Sequence, residues 1–419
     1  KYDAIIMADN ESSSTSWSTL ERSIAIIPKV GGALSLIACS FIMRDVITKW
    51  MRKRSVSLTS VLIFCISVAD WIYSLFSAFL STWMVPSDTV GIANDGGASG
   101  VYMASGTTAS CTAQGFLATL SIGASMSYYA VLMLLYWMSV HYGWSESFMS
   151  KTRFRMYFIL PPTIIALGFA IPPLFLGMYN YGGTYQCFIA TYPLDCEINP
   201  EHDCIRGHGA WIYQDIYWFY CLLCNVVIIV CVCMLIYTVF NQERKADKYL
   251  TKGQAKKRDM TRKTVWQGLR YVVAFMMAYL FMYIWTFYRL FNTYPPEAIF
   301  YLHLIFPPLL GFFNAFVYFR PRFIAYRDNN PDDSWVICLS NVFNIDLDYL
   351  ENSRSKMNKR LSSISRKSIS ASISRSISGR TSSERSSDSI DGDLTSPLFH
   401  DSAESVEESK RVSFDESVI

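Results

Sequence analysis

Charge is scarce in this sequence. Of 419 residues, 37 are Lys or Arg and 34 are Asp or Glu. Nearly half of that charge lies in residues 241–263 and 350–419. Histidine is rarer still, at five. The eleven cysteines show no zinc-like double CxxC spacing, and the chain is too long and apolar for a disulfide-stapled miniprotein. Residues 297–319, the last apolar block, contain no lysine, which excludes a retinal Schiff base there. An intramembrane zinc hydrolase needs several His and Asp ligands at membrane depth; only His303 and Asp70 qualify, and they sit at different levels, which speaks against that class. No cofactor, no metal and no enzymatic activity are expected. No signal peptide is visible ahead of the first apolar block. Length alone would suggest two or three soluble domains. The apolar blocks overturn that prior.

Hydrophobic residues make up 51% of the chain and aromatic residues 15%. A helix needs about 20 apolar residues to cross a bilayer. Seven blocks qualify: 23–43, 57–84, 112–138, 155–178, 211–240, 265–289 and 297–319. Proline pairs interrupt the fourth and seventh (Pro161–Pro162, Pro172–Pro173, Pro307–Pro308). In a bundle, neighbouring groups can satisfy the carbonyls that proline frees, so kinks are expected rather than helix ends.

Lysine and arginine set the orientation. The loops after blocks one, three and five are basic, and the alternate loops are nearly bare of positive charge. The expected architecture is an all-α, seven-transmembrane bundle with its N-terminus outside. Residues 1–22 form a short outer segment, 23–325 the bundle and 326–419 a cytoplasmic tail. Asn10 opens an N-E-S sequon on the outer segment and is a candidate glycosylation site. Those 22 residues hold no cysteine and are too few for a folded ligand-binding domain. Recognition is therefore expected in the bundle and its loops, which favours a small molecule or short peptide.

Four cysteines fall on the expected outer side, where disulfides persist. Cys111 opens helix three, and Cys187 lies in the long loop after helix four. A bridge between them would tie that loop to the bundle. Cys196 and Cys204 would then pair within the loop, although other pairings of the four remain open. "CLLC" at 221–224 has CxxC spacing, but inside an apolar helix it reads as small packing residues. Cys338, soon after helix seven, is a candidate for palmitoylation.

Polar groups at membrane depth are costly and usually face the bundle interior. Asp70 lies mid-helix in "SVADWIY". Asn314 and Tyr318, four apart in "LLGFFNAFVYFRPRF", share one helix face near the inner end of helix seven. An amide at that depth needs partners, and Asp70 or water is a natural one for Asn314. The three residues together make a candidate conformational switch, with static helix–helix glue as the plainer reading. Arg320 and Arg322 should stop at the inner leaflet, with Pro321 breaking the helix.

Seven helices, an outside N-terminus, Cys111 with Cys187, Asp70 after "SVA" and N-A-F-V-Y at 314–318 together resemble a G-protein-coupled receptor. The rhodopsin-like class has N-P-x-x-Y where this chain has Ala315, and an acidic-Arg-aromatic triplet where "LLYWMSVHYGWSE" has no arginine. "CTAQGF" at 111–116 and "GFFNAFVYFRPRF" at 311–323 look closer to the cyclic-AMP-receptor-like family of protists, which borders the secretin-like class. The resemblance spans residues 20–325. It implies a plasma-membrane receptor in which a small extracellular ligand selects one of two bundle packings and a heterotrimeric G protein binds inside. The candidate pocket is the outer half of helices three, five, six and seven: Gln114, Tyr217, Trp285, Tyr288, Arg289 and His303. Arg289 and His303 would suit an anionic, cyclic-nucleotide-like ligand.

The basic third inner loop, 241–264, combines a positive-inside signal and lipid attraction with a docking edge for the G protein, through Lys256, Lys257, Arg258, Arg262 and Lys263. The serine-rich tail is expected to be disordered. Ser362, Ser368, Ser378 and Ser413 follow basic residues and suit basophilic kinases, and Ser396 precedes Pro397. Phosphates there would turn a basic strip acidic and suit an arrestin-like partner. The alternative to a receptor is a seven-helix transporter. No internal repeat supports it.

Overall fold

The structure, a computed structural model, describes residues 19–52, 57–89, 100–144, 152–194, 196–197, 203–246, 252–290 and 296–342; at 19–20, 152–154, 243, 245–246, 252–265, 289–290, 297 and 329 it describes the backbone alone. Helices α1 (Thr19–Met51), α2 (Leu58–Tyr73), α3 (Thr108–Tyr142), α4 (Thr152–Phe175), α5 (Ala210–Ala246) and α6 (Lys252–Leu290) carry one span each. The seventh span is divided. Helix α7 (Glu297–Ile305) meets α8 (Leu310–Asn329) through a 3-10 turn over Pro307–Leu309. Between α4 and α5 a short antiparallel hairpin forms from β1 (Tyr179–Tyr181) and β2 (Cys187–Ile189), with Tyr179 opposite Ile189. Seven stretches among the described residues are long and apolar enough to cross a membrane, from Glu21–Met51 to Ala298–Asp328. Each coincides with one of the seven apolar blocks.

Helix α3 is the central wall. Of its apolar window, 78% is buried, against 22–56% for the other spans. Its outer end is closed by a capping box: Ser110 N–H donates to Thr107 Oγ1 (3.3 Å), and Thr107 N–H donates to Ser110 Oγ (2.8 Å). Gly143, at φ +64°, ends it in the left-handed conformation that glycine adopts without strain. Gly115, Ala118, Ser121, Gly123, Ser125 and Ser127 are all buried along it. Small side chains of this kind let neighbouring helices approach closely in lipid.

Where the helices break, side chains from neighbours complete the hydrogen bonding. Pro173 has no N–H for the Phe169 carbonyl, and Tyr213 of α5 donates to that oxygen instead (3.1 Å). In the seventh span the Ser35 hydroxyl of α1 enters the helical ladder. It accepts from Phe312 N–H (3.2 Å) and donates to the Pro308 carbonyl (2.5 Å). Gly311 is what permits that approach, since a Cβ there would lie 2.5 Å from Cys39 Sγ. Past Tyr73, α2 widens into a π-helical turn over Ser74–Phe79 and then tightens into a 3-10 turn over Ser81–Met84. Gly32 packs against this turn so tightly that a Cβ would stand 2.7 Å from Phe79 N.

Two expectations need correction. Pro321 does not end its helix, because α8 runs on to Asn329. The carbonyl that Pro321 leaves without a donor is that of Val317, and Gln267 Nε2 of α6 donates to it (3.1 Å). The basic stretch 241–264 is also not a simple loop. Its residues up to Ala246 extend α5, and those from Lys252 extend α6. Its Lys, Arg, Gln and Ala content consists of good helix formers.

The chain divides into two compact units, 1–320 and 321–419. In the second, α9 (Trp335–Val342) folds back so that Phe323 meets Trp335 (ring centroids 5.1 Å apart). Tyr326 donates to Asp333 Oδ2 (2.7 Å) and accepts from Asn341 Nδ2 (2.8 Å). Cys338 packs against Tyr326 and is 1% exposed. An acyl chain on Cys338 is at odds with this packing, because a thiol so enclosed is not presented to solvent or lipid.

Replacing Gln267 with Leu should lower bundle stability by about 1 kcal/mol, the net worth of one hydrogen bond. Adding Pro321→Ala, which restores a backbone N–H for Val317, should recover most of that loss. Thermal melting of the two single variants and the double variant in detergent checks the coupling, and simple additivity would refute it.

Candidate functional site

The outer end of the bundle is closed by the β1–β2 hairpin. Both expected disulfides are formed. Cys111–Cys187 joins α3 to β2 with Cα atoms 5.3 Å apart, and Cys196–Cys204 closes a loop with Cα atoms 5.0 Å apart. Glu197, Cys204 and His208 have their ligand atoms clustered at metal-ligand spacing, but the Cys204 sulfur is committed to its disulfide. Beneath the hairpin, Gln114 is fully buried, and its whole amide is engaged by the protein. Nε2 donates to the carbonyls of Phe76 (2.7 Å) and Ser81 (2.9 Å), and Oε1 accepts from Cys187 N–H (2.7 Å). Gln114 thus binds the irregular end of the second span to the lid, so it is a clasp and not a free ligand contact.

Sequence reasoning missed the cation that extends this clasp. Lys29 of α1 donates to Ser81 Oγ (2.7 Å), the Leu80 carbonyl (3.2 Å) and Thr82 Oγ1 (3.3 Å). Its ammonium also lies over the Trp83 ring, 4.1 Å from the centroid. These contacts hold Ser81 at φ +30°, a conformation that costs energy for a residue with a Cβ. The available signal was a lone lysine inside the first apolar block.

The other predicted pocket residues divide into two groups. Tyr217 is fully buried and donates to the Thr119 carbonyl (2.9 Å), with Phe169, Phe188 and Trp218 around its ring. It fills the space between α3, α4 and α5. Trp285 and His303 form the second group, stacked with centroids 6.0 Å apart and planes at 11°. Tyr185, at the tip of the hairpin, reaches down to His303 (6.5 Å) and shares a hydrogen bond with Tyr73 of α2 (2.9 Å). Burial pushes the Tyr185 phenol up to about 12, so it stays neutral at physiological pH. His303 Nδ1 is buried and has no hydrogen-bond partner among the described residues. Tyr288 is half-buried one turn above Trp285. The Arg289 side chain lies outside the described residues.

The proposed switch residues fall into two clusters. Asp70 is 3% exposed; Oδ1 accepts from Ser125 of α3 (2.8 Å), and Oδ2 accepts from Asn314 Nδ2 of α8 (2.6 Å). Tyr129 of α3 donates to Asn314 Oδ1. Tyr318 is not part of this cluster. It donates to Asp45 Oδ2 of α1 (2.6 Å), and Lys49 pairs with the same oxygen (3.4 Å). A third contact, unforeseen in the sequence, links α5 and α6, where Asn225 Nδ2 donates to the Tyr283 hydroxyl and to its own helix at Cys221 (2.8 Å).

The side chains of Lys256, Lys257, Arg258, Arg262 and Lys263 lie outside the described residues, as do Asn10, Ser362, Ser368, Ser378, Ser396 and Ser413.

No family model matches this sequence, and no curated protein matches it. Among solved structures the chain is similar to squid rhodopsin, with a TM-score of 0.53 and 15% identity over 79% of this chain and 89% of that one. At that identity the likeness defines the fold. The chain is an all-α, multi-pass membrane protein with a seven-helix bundle of G-protein-coupled-receptor fold.

Gln114→Leu removes three hydrogen bonds and leaves two carbonyls and the Cys187 N–H without this partner. The expected loss is about 3 kcal/mol, from buried groups left unpaired. Hydrogen exchange should show the hairpin opening before the rest of the bundle. Unchanged melting and unchanged hairpin protection would remove Gln114 from this role.

Proposed function

We propose that the protein is a plasma-membrane receptor. In this reading a small extracellular ligand enters between α6, α7 and the hairpin, and a heterotrimeric G protein is engaged at the inner ends of α5 and α6. The observation that carries it is the Asp70 cluster. A carboxyl, an amide, a hydroxyl and a phenol join α2, α3 and α8 in the middle of a rhodopsin-like bundle. Static packing does not require so costly a set. Such a set can exchange partners between two packings at small net cost, which is what a two-state switch needs.

The ligand site in this reading is narrower than the sequence implied. Gln114 and Tyr217 frame it without facing it, and Trp285, Tyr288 and His303 form its wall under Tyr185. The unpartnered Nδ1 of His303 is the group a ligand would engage, and Arg289 would suit an anionic ligand of the cyclic-nucleotide type. That chemistry agrees with the resemblance to cyclic-AMP-receptor-like proteins. Ligand entry would displace Tyr185 and shift α6. Two bonds resist that shift: Asn225 to Tyr283 toward α5, and Gln267 to Val317 toward α8. Phosphorylation of the tail, with an arrestin-like partner, would end signalling.

Guanine-nucleotide exchange on G proteins from the protein's host, with the full chain in nanodiscs, tests the reading. Exchange should rise with cyclic nucleotides or a fraction of host metabolites. It should fall to background when Lys256, Lys257, Arg258, Arg262 and Lys263 are replaced together by Gln. Folded protein that drives no exchange with any fraction would sink the proposal, and substrate uptake into vesicles would then favour a transporter.

A second outcome concerns the switch. Asn314→Leu frees both Asp70 Oδ2 and Tyr129. It should raise ligand-independent exchange about fivefold, the effect of roughly 1 kcal/mol on a two-state equilibrium. An unchanged basal rate in a folded variant would make the cluster static glue.

A further inference from the structure

Helices α1 and α2 leave a groove of about 430 Å³ on their outward surface, lined by Leu36, Ile37, Ser40, Phe41, Arg44 and Trp71. Five of the six lie on one face of α1, at spacings of one, three and four residues. Leu36 to Arg44 covers about 12 Å of helix at 1.5 Å per residue. Small Ser40, between Ile37, Phe41 and the Trp71 indole, creates the trough. Its floor is already satisfied: Trp71 Nε1 donates to Ser40 Oγ (3.2 Å), and Ser40 Oγ donates to the Leu36 carbonyl (2.7 Å). The body of the groove therefore offers apolar surface and no open polar group.

One end differs. Arg44 stands at the inner end of the groove, exposed, and no carboxylate pairs with it among the described residues. The adjacent Asp45 is engaged elsewhere, by Tyr318 and Lys49. Ile37 beside the groove is 59% exposed, on a span apolar enough to lie in lipid. The groove thus faces the bilayer, with a guanidinium that no described carboxylate pairs at the headgroup level of the inner leaflet.

We infer that this groove binds one anionic phospholipid, its acyl chain along Leu36, Ile37, Phe41 and Trp71 and its phosphate on Arg44. The match is between an apolar trough ending in a guanidinium and an acyl chain ending in a headgroup of net negative charge; phosphatidylcholine has the same phosphate, but its choline cation cancels the charge. Guanidinium groups hold phosphate oxygens in bidentate geometry.

The test uses the full chain in nanodiscs and two probes that carry the same photoreactive acyl chain, one phosphatidylserine and one phosphatidylcholine. Labelled residues are mapped by peptide mass spectrometry. Phosphatidylserine should label 36–41 and Trp71 about fivefold more than phosphatidylcholine, the preference expected from one basic residue at an anionic headgroup. Arg44→Gln should bring the two probes level, Arg44→Lys should keep much of the preference, and Lys49→Gln should leave it intact. Ser40→Leu, which fills the trough, should lower labelling by both probes. Soluble glycerophosphoserine should not compete, because it lacks the chain. Equal labelling by both probes in the unaltered protein would overturn the inference and make the groove ordinary lipid contact. A preference that survives Arg44→Gln would also overturn it, and competition by the soluble headgroup would reduce the site to an anion contact without an acyl groove.

Discussion

A backbone carbonyl or N–H in a bilayer has no water to turn to, so each break in a helix must be repaired from within the protein. This chain breaks its helices repeatedly, and the repairs hold the bundle together. Ser35 stands between Phe312 N–H and the Pro308 carbonyl, tying α1 to the seventh span. Tyr213 serves the Phe169 carbonyl and ties α5 to α4. Gln267 serves Val317 and ties α6 to α8. Gln114 serves Phe76 and Ser81 at the irregular end of the second span. Each repair is also a contact between two helices, so the irregularities specify which helices meet and at what level.

The same constraint joins the outer surface to the interior. Lys29 fixes Ser81, Ser81 presents its carbonyl to Gln114, and Gln114 accepts from Cys187 in the hairpin. The Cys111–Cys187 bridge runs parallel to this chain of hydrogen bonds. Movement of the lid is thereby linked to three helices at once. Tyr185 adds a fourth line through Tyr73 on α2, a few residues above the Asp70 cluster. In the receptor proposed above, Tyr185 would pass a displacement at His303 to Tyr73 on α2, and interconversion of two packings is the physical content of that proposal.

Much of this organisation was legible before any coordinates. Long apolar runs separated by basic loops allow little besides a helical bundle, because lipid permits only helices or closed barrels. That Cys111, Cys187, Cys196 and Cys204 would pair among themselves was readable from their shared side of the membrane, whereas which of the possible pairings forms was settled by the fold. Asp70 and Asn314 were readable as partners because buried amides and carboxyls must find one another. Tyr318 was misassigned for an instructive reason. Position on a helix face says which way a side chain leaves its helix, not which neighbour stands there, and that neighbour was Asp45. Gln114 looked like a pocket residue because a polar group at the outer end of a bundle fits a ligand as well as it fits a broken helix.

The number of spans, their order and the chemistry available at each level are already present in the order of the residues, since hydropathy and charge act locally along the chain. Tertiary structure alone decided which polar groups are consumed and which stay open. The helix runs through Pro321, and Gln267, 54 positions away in the chain, reaches the carbonyl that Pro321 abandons. Cys338 is enclosed only because α9 folds back on Tyr326. Hydrogen-bond satisfaction is a property of pairs, and pairs distant in sequence are set by packing.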